Sequence, residues 1–283
     1  MVDYRNIESK AKELSQKNNT DYYEMLQRFM FERILERISV SKYNDNFILK
    51  GGLLLTAMFG IDNRTTKDMD TTITGLNVEK EYMINVLNEI LSINLNDGVK
   101  FDLINVTDIR EDDEYGGNKY HIVGRLQNMK VNLEIDISTG DKVTPKELRY
   151  KYPLVFEDKQ IIINSYNIET ILSEKIETVL RRGIYNSRMK DYYDIYMFLT
   201  KMKAEINMNN FMLAMKNTFE RRDSLKYLED YSNILNEIKE YDRIYILWDK
   251  YIAKRVYAQN IKFGDILSLL LDFLNSNNIL VAN

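Results

Sequence analysis

The run KGGLLLTAMFGIDNRTTKDMDTT, from Lys50 to Thr72, constrains this chain most, because it sets a glycine pair 16 residues ahead of an Asp-x-Asp. Side chains alternate faces along an extended strand, so Asp68, Asp70 and Thr72 point one way while Met69, Thr71 and Ile73 point the other. Two carboxylates about 4 Å apart repel by roughly 4 kcal/mol at a near-surface dielectric. Such a pair calls for a cation, and a divalent metal is the obvious one.

Gly51 and Gly52 supply the complement. Without Cβ atoms the backbone can turn sharply there and approach a ligand, and the apolar LLLTAMF behind them reads as a buried helix. Free N–H groups at such a helix start suit a phosphate. This order of strand, glycine turn, helix and acidic strand resembles the nucleotidyltransferase superfamily typified by DNA polymerase beta. That superfamily takes a third carboxylate from a later strand. The alternation in KVNLEIDISTGD puts Val131, Leu133, Ile135 and Ile137 on one face and Asn132, Glu134, Asp136 and Ser138 on the other, so Glu134 or Asp136 can complete the set.

The stretch IDISTGDKVTP resembles a segment of the AbiEii/AbiGii toxin family, and that resemblance selects Asp136. It continues in YNIETILSEKIETVLRRGIYNSRMKDYYDIYMF, where a Glu-Lys pair in one helix is followed by Lys-Asp-x-x-Asp in the next. The matching segments reach from about Lys50 to Phe198. The residues can also be read alone. Ile168, Ile171, Leu172, Ile176, Val179 and Leu180 form a helical stripe that includes Lys175. On the following helix Asp191 and Asp194 share a face with Ile195 and Phe198. Buried opposite charges pair, so a Lys175 to Asp191 contact is expected. Such a contact either pins two helices together or serves function.

The resemblance implies a metal-dependent nucleotidyltransferase. Asp68, Asp70 and Asp136 would hold Mg2+ or Mn2+, and Lys50, Gly51 and Gly52 would meet the phosphates of an NTP. Lys175 would bind the triphosphate, Asp191 would orient it or act as a base, and Arg64, Lys67, Arg182 and Asp194 would add contacts. It further implies a toxin of a type IV toxin–antitoxin or abortive-infection system, kept in check by a cognate antitoxin, with the tRNA 3′ end as acceptor. Two rivals use the same residues: a small-molecule, antibiotic-type nucleotidyltransferase, and an NTP-binding interaction module without turnover.

Composition narrows the chemistry. The chain of 283 residues has no cysteine and one histidine, which excludes disulfides, thiolate metal sites and His-rich zinc sites. Oxygen ligands remain, as magnesium and manganese prefer. The charged N-terminus and the lack of a long apolar run predict a cytoplasmic protein with no membrane span. A net charge of −4 does not mark the whole chain as a nucleic-acid binder. Local clusters do stand out: Arg181, Arg182, Arg188 and Lys190, with Arg149 and Lys151 earlier. Each reads either as a solvated helix end or as a guide for triphosphate or RNA. His121, in YHIVGRL, reads as structural, and the run Glu111 to Glu114 as a solvated hairpin loop.

The expected fold class is α+β. Nine of the 11 glycines precede residue 141, and both prolines, Pro145 and Pro153, follow it closely, so a boundary is expected within 141–160. Residues 1–155 are assigned to a nucleotidyltransferase-type mixed sheet with flanking helices over 5–17, 21–40 and 78–93. Residues 156–283 are assigned to a mainly helical domain, with helices over 168–182, 189–201, 207–219, 224–239, 241–257 and 263–277. The Met and aromatic stripes of that half, Trp248 included, read as core.

Overall fold

A computed structural model describes residues 6–109, 117–140 and 142–277. The acidic run Glu111 to Glu114 lies outside them. The chain forms two compact units, residues 1–141 with 147–165 and residues 142–146 with 166–283. The division falls after residue 165, not near 155. The reason is a pair of strands, LRYKYP and QIIINS, that the sequence analysis passed over. Pro153 ends an edge strand, where a missing N–H is harmless, and does not mark a linker.

The first unit is a seven-stranded mixed sheet in the order β3-β4-β5-β2-β1-β7-β6. In chain order the strands are β1 (Phe47–Lys50), β2 (Met69–Ile73), β3 (Lys100–Asp108), β4 (Gly117–Leu126), β5 (Met129–Thr139), β6 (Leu148–Pro153) and β7 (Gln160–Ser165). β2 and β5 run parallel, as do β1 and β7, while β1 and β2 run antiparallel. The expected alternation in β5 is present: Val131, Leu133, Ile135 and Ile137 are buried, and Glu134 and Asp136 are partly exposed.

Among the described residues four helices belong to this unit: α1 (Ile7–Lys17), α2 (Tyr22–Val40), α3 (Gly51–Phe59) and α4 (Lys80–Leu91). Asp21 caps α2 by accepting the Glu24 N–H. α2 is buried nearly all round, and its charges are spent internally. Arg37 makes a two-pronged contact with Asp97 at 2.8 and 2.9 Å, Arg28 pairs with Glu32 at 2.8 Å, and Glu32 accepts the Val155 N–H at 3.0 Å. Removing one partner of such a pair strands a buried charge, so the network fixes α2 against the β6–β7 connection.

The second unit is helical: α5 (Ile168–Arg182), α6 (Met189–Lys201), α7 (Met208–Arg221), α8 (Leu225–Glu229), α9 (Tyr231–Glu240), α10 (Asp242–Ile252) and α11 (Phe263–Ser276). The helix expected over 224–239 is interrupted at Asp230, whose carboxylate accepts from Asn233 at 2.6 Å, local bonding that competes with the helical ladder. The helix expected over 241–257 ends at Ile252, and residues 256–258 form a separate 3-10 turn. Trp248 is buried and donates to the Ile261 carbonyl at 3.0 Å, and Tyr192, Trp248 and Phe263 pack ring on ring as core. Among the described residues no helix is long and apolar enough to cross a membrane.

Candidate functional site

β1 runs straight into α3, and at that junction the backbone leaves room for nothing else. Gly51 has φ +65°, and a Cβ there would lie 1.9 Å from Oδ2 of Asp70. A Cβ on Gly52 would lie 2.4 Å from Oγ1 of Thr66. The Lys50 side chain does not cap α3; instead the Gly52 N–H donates to Oδ2 of Asp70 at 3.3 Å. The glycine turn and the acidic strand are thus fitted to one another.

Strand register extends this contact into a row. Lys50 stands opposite Asp70, Asp70 opposite Asp136, and Asp136 opposite Lys119. Residues paired across strands share a face, so four neighbouring strands present lysine, aspartate, aspartate, lysine side by side. Asp68 stands just before β2. Lys119 Nζ bridges Oδ1 of Asp136 at 3.0 Å and Oε2 of Glu134 at 2.9 Å, and Lys50 Nζ donates to Ser138 Oγ at 2.7 Å.

The electrostatics follow from this row. Burial pushes the Asp136 carboxyl up to about 6; the bond from Lys119 opposes the rise, and the charges of Asp70 and Asp68 add to it. Burial works against the Lys119 charge, yet Glu134 and Asp136 hold its pKa above the ordinary value. Glu134 does not stand opposite Asp70. Its side chain is 44% exposed, against 22% for Asp136, and it also lies 3.5 Å from His121 Nδ1. His121 Nε2 is 3.1 Å from Thr107 Oγ1, in keeping with a structural role.

The donor chemistry suits a hard divalent cation: neighbouring carboxylate oxygens, with no soft ligand nearby. Among the described residues no three acidic or histidine side chains already enclose an ion site. Asp136 is turned to Lys119 and Asp70 to the Gly52 N–H. Arg64 and Lys67 have other neighbours. Arg64 is buried and donates to the Thr65 carbonyl, and Lys67, 59% exposed, lies 3.4 Å from Oε1 of Glu24.

In the second unit, Asn167 caps α5 by accepting the Thr170 N–H at 2.8 Å, and Lys175 follows on the buried stripe. Its ammonium lies 2.9 Å from Asp191 Oδ1 and 2.7 Å from Asp194 Oδ2, while Arg188 Nε lies 3.2 Å from the other oxygen of Asp191. Burial alone would lower the Lys175 pKa, but Asp191 and Asp194 keep it raised. The expected Lys175 to Asp191 contact is present, and Asp194, on the same inward face, is a second partner. Arg182 ends α5.

Sequence reasoning missed Lys119 and Ser138. A signal for Lys119 was present. The tight turn at Gln127 and Asn128 pairs Leu126 with Met129, and counting back along both strands brings Lys119 to Asp136. Ser138 follows from its position two residues beyond Asp136 on the same face.

A family model described as nucleotidyl transferase AbiEii toxin, type IV TA system, matches residues 33–268. Among solved structures, JHP933 from Helicobacter pylori is similar at 15% identity and a TM-score of 0.44, over 90% of this chain and 97% of that one. An antigenic nucleotidyltransferase-like protein from Paracoccidioides brasiliensis is similar at 18% identity and a TM-score of 0.38, over 69% of this chain and 91% of that one. ANT(2")-Ia in complex with adenylyl-2"-tobramycin is similar at 15% identity and a TM-score of 0.38, over 69% of this chain and 98% of that one. No curated protein matches the sequence.

Proposed function

Because the chain belongs to the AbiEii family of nucleotidyl transferase toxins of type IV toxin–antitoxin systems, we propose that it transfers a nucleotidyl group from an NTP to the 3′ end of tRNA and is neutralised by a cognate antitoxin. The observation that carries this reading is the register of Asp70 with Asp136 beside the Gly51 turn. Neighbouring like charges on a partly open face are costly unless a ligand uses them.

In the reaction the acceptor hydroxyl oxygen attacks the α-phosphorus, the bond to the β-phosphate breaks, and pyrophosphate leaves with the electron pair. Asp68, Asp70 and Asp136 would hold Mg2+ or Mn2+. The bound cation would supply neutralisation of charge on the attacking and leaving oxygens. N–H groups at the start of α3 and the Lys50 ammonium would meet the phosphates, and Gly51 and Gly52 would let the backbone approach them. Lys119, which contacts Asp136 at 3.0 Å, would remain a positive group beside the carboxylates when Asp136 holds the cation. For the second unit by itself we carry forward the roles the family resemblance implies: Lys175, Arg182 and Asp194 as phosphate contacts, and Asp191 as an orienting group or base. Arg64 and Lys67 are proposed as further nucleotide contacts once the ligand is bound.

Incubating the protein with magnesium, total RNA and each α-labelled NTP in turn tests the reading. Label on tRNA-sized RNA with wild type, and none with Asp70→Ala, is the expected result. Label passing instead to an aminoglycoside offered in parallel would replace the tRNA acceptor with a small molecule. Metal-dependent NTP binding with no product from any acceptor would replace transfer with binding alone.

A further inference from the structure

The ten residues from Arg181 to Lys190, RRGIYNSRMK, carry four positive charges and no acid, and in their midst stands a tyrosine that the structure exhibits rather than hides. Tyr185 is 84% exposed, while no other tyrosine among the described residues exceeds 39%. It closes a 3-10 turn, Gly183–Tyr185, between α5 and α6. An exposed ring on a loose loop would mean little, but this turn is fastened. The Asn186 N–H donates to the Gly183 carbonyl at 3.1 Å, and the buried Asn186 Oδ1 accepts the Arg188 N–H at 3.0 Å. Behind the turn, a Cβ on Gly183 would lie 4.0 Å from Ile234 on α9. The turn is preorganised, so a ligand meeting the ring need not pay for ordering it.

The charges of the segment itself are all of one sign, though Glu177 and Asp191 on the flanking helices pair with some of them. Burial lowers the Arg181 pKa, and Arg222, Arg182 and Arg188 lower it further, which puts four guanidinium groups in one neighbourhood. Arg181 and Arg222 share the Glu177 carboxylate, at 2.8 and 2.5 Å, and Lys190 is exposed. An exposed aromatic ring in a segment this rich in guanidinium groups suits a polyanion whose units have flat faces. A mononucleotide needs a concave site, and a ring this exposed has no walls to supply one. An unpaired base on a strand meets both conditions, stacking on the ring while its phosphates run over the charges.

We propose that Tyr185 is a stacking platform for an unpaired base of the acceptor RNA, with Arg188 and Lys190 taking the flanking phosphates. The inference rests on the reading of RNA as acceptor and names where that RNA is held. Binding of a short 5′-fluorescein single-stranded RNA, followed by anisotropy in chelator and without NTP, reads the contact apart from turnover. Tyr185→Ala should weaken binding about tenfold, with its urea unfolding unchanged because the ring is exposed. Tyr185→Trp should keep wild-type affinity. Lys190→Gln should reduce the slope of log affinity against log salt by about 0.7. Equal binding by wild type and Tyr185→Ala, or no RNA binding by wild type, would overturn the proposal. Tyr185-dependent binding without any labelling of RNA would leave the platform standing and remove transfer; labelling that persists with Tyr185-independent binding would do the reverse.

Discussion

The two units each gather acids and lysines, and they settle the charges in opposite ways. In the sheet, Asp70 and Asp136 stand side by side with a lysine on each flank, and burial first, then the charges of Asp70 and Asp68, raise the Asp136 pKa to about 6. In the helical unit, Lys175 lies between Asp191 and Asp194, buried opposite charges in direct contact. The first arrangement sets like charges side by side on a partly buried face. The second is closed by its own counter-charges and holds α5 to α6 whether or not a ligand is present. Strain of the first kind signals a site; closure of the second kind gives stability whatever else the residues do.

That contrast can be broken by substitution. The largest effect expected is on transfer: Asp70→Asn should lower labelling of RNA by about a thousandfold, since a charge-stabilising group is lost, while urea unfolding shows no loss of stability because a like charge beside Asp136 has gone. Next, Lys175→Met removes the ammonium held between two buried carboxylates and should cost about 3–5 kcal/mol in the same unfolding assay. A small cost for Lys175→Met would show that the helical cluster is less closed than its distances indicate. Gly51→Ala places a side chain at φ +65° and against Asp70, so roughly 1–2 kcal/mol of conformational cost is expected, together with loss of transfer. The smallest effect belongs to Glu134→Gln: under about 1 kcal/mol, for a partly exposed ion pair, with transfer retained. Asp136→Asn should abolish transfer, and equal losses in the two variants would erase the distinction between them.

Much of this was legible in the sequence, for reasons that differ by element. A period of two displayed Asp70 and Asp136 on polar faces of their strands, and a period near 3.6 put Lys175 with Asp191 and Asp194 on inward faces. The parallel register of Asp70 with Asp136 was not legible, because it joins strands some 65 residues apart and no turn fixes it. Lys119 was legible through a turn that fixes a hairpin, yet it was overlooked because lysine is not a ligand type one searches for. The strands LRYKYP and QIIINS were hidden by Pro153 and by the helical pattern that follows. The break at Asp230 depends on a side-chain bond that composition does not reveal.

The account turns on the claim that the Asp70 and Asp136 pair is a cation site held under like-charge strain. Urea unfolding of wild type, Asp70→Asn and Asp136→Asn, each with chelator and with added Mn2+, tests it most directly. The account predicts variants at least as stable as wild type in chelator, and a Mn2+-induced gain in stability seen in wild type alone. Equal gains in all three proteins, or variants less stable than wild type in chelator, would contradict it.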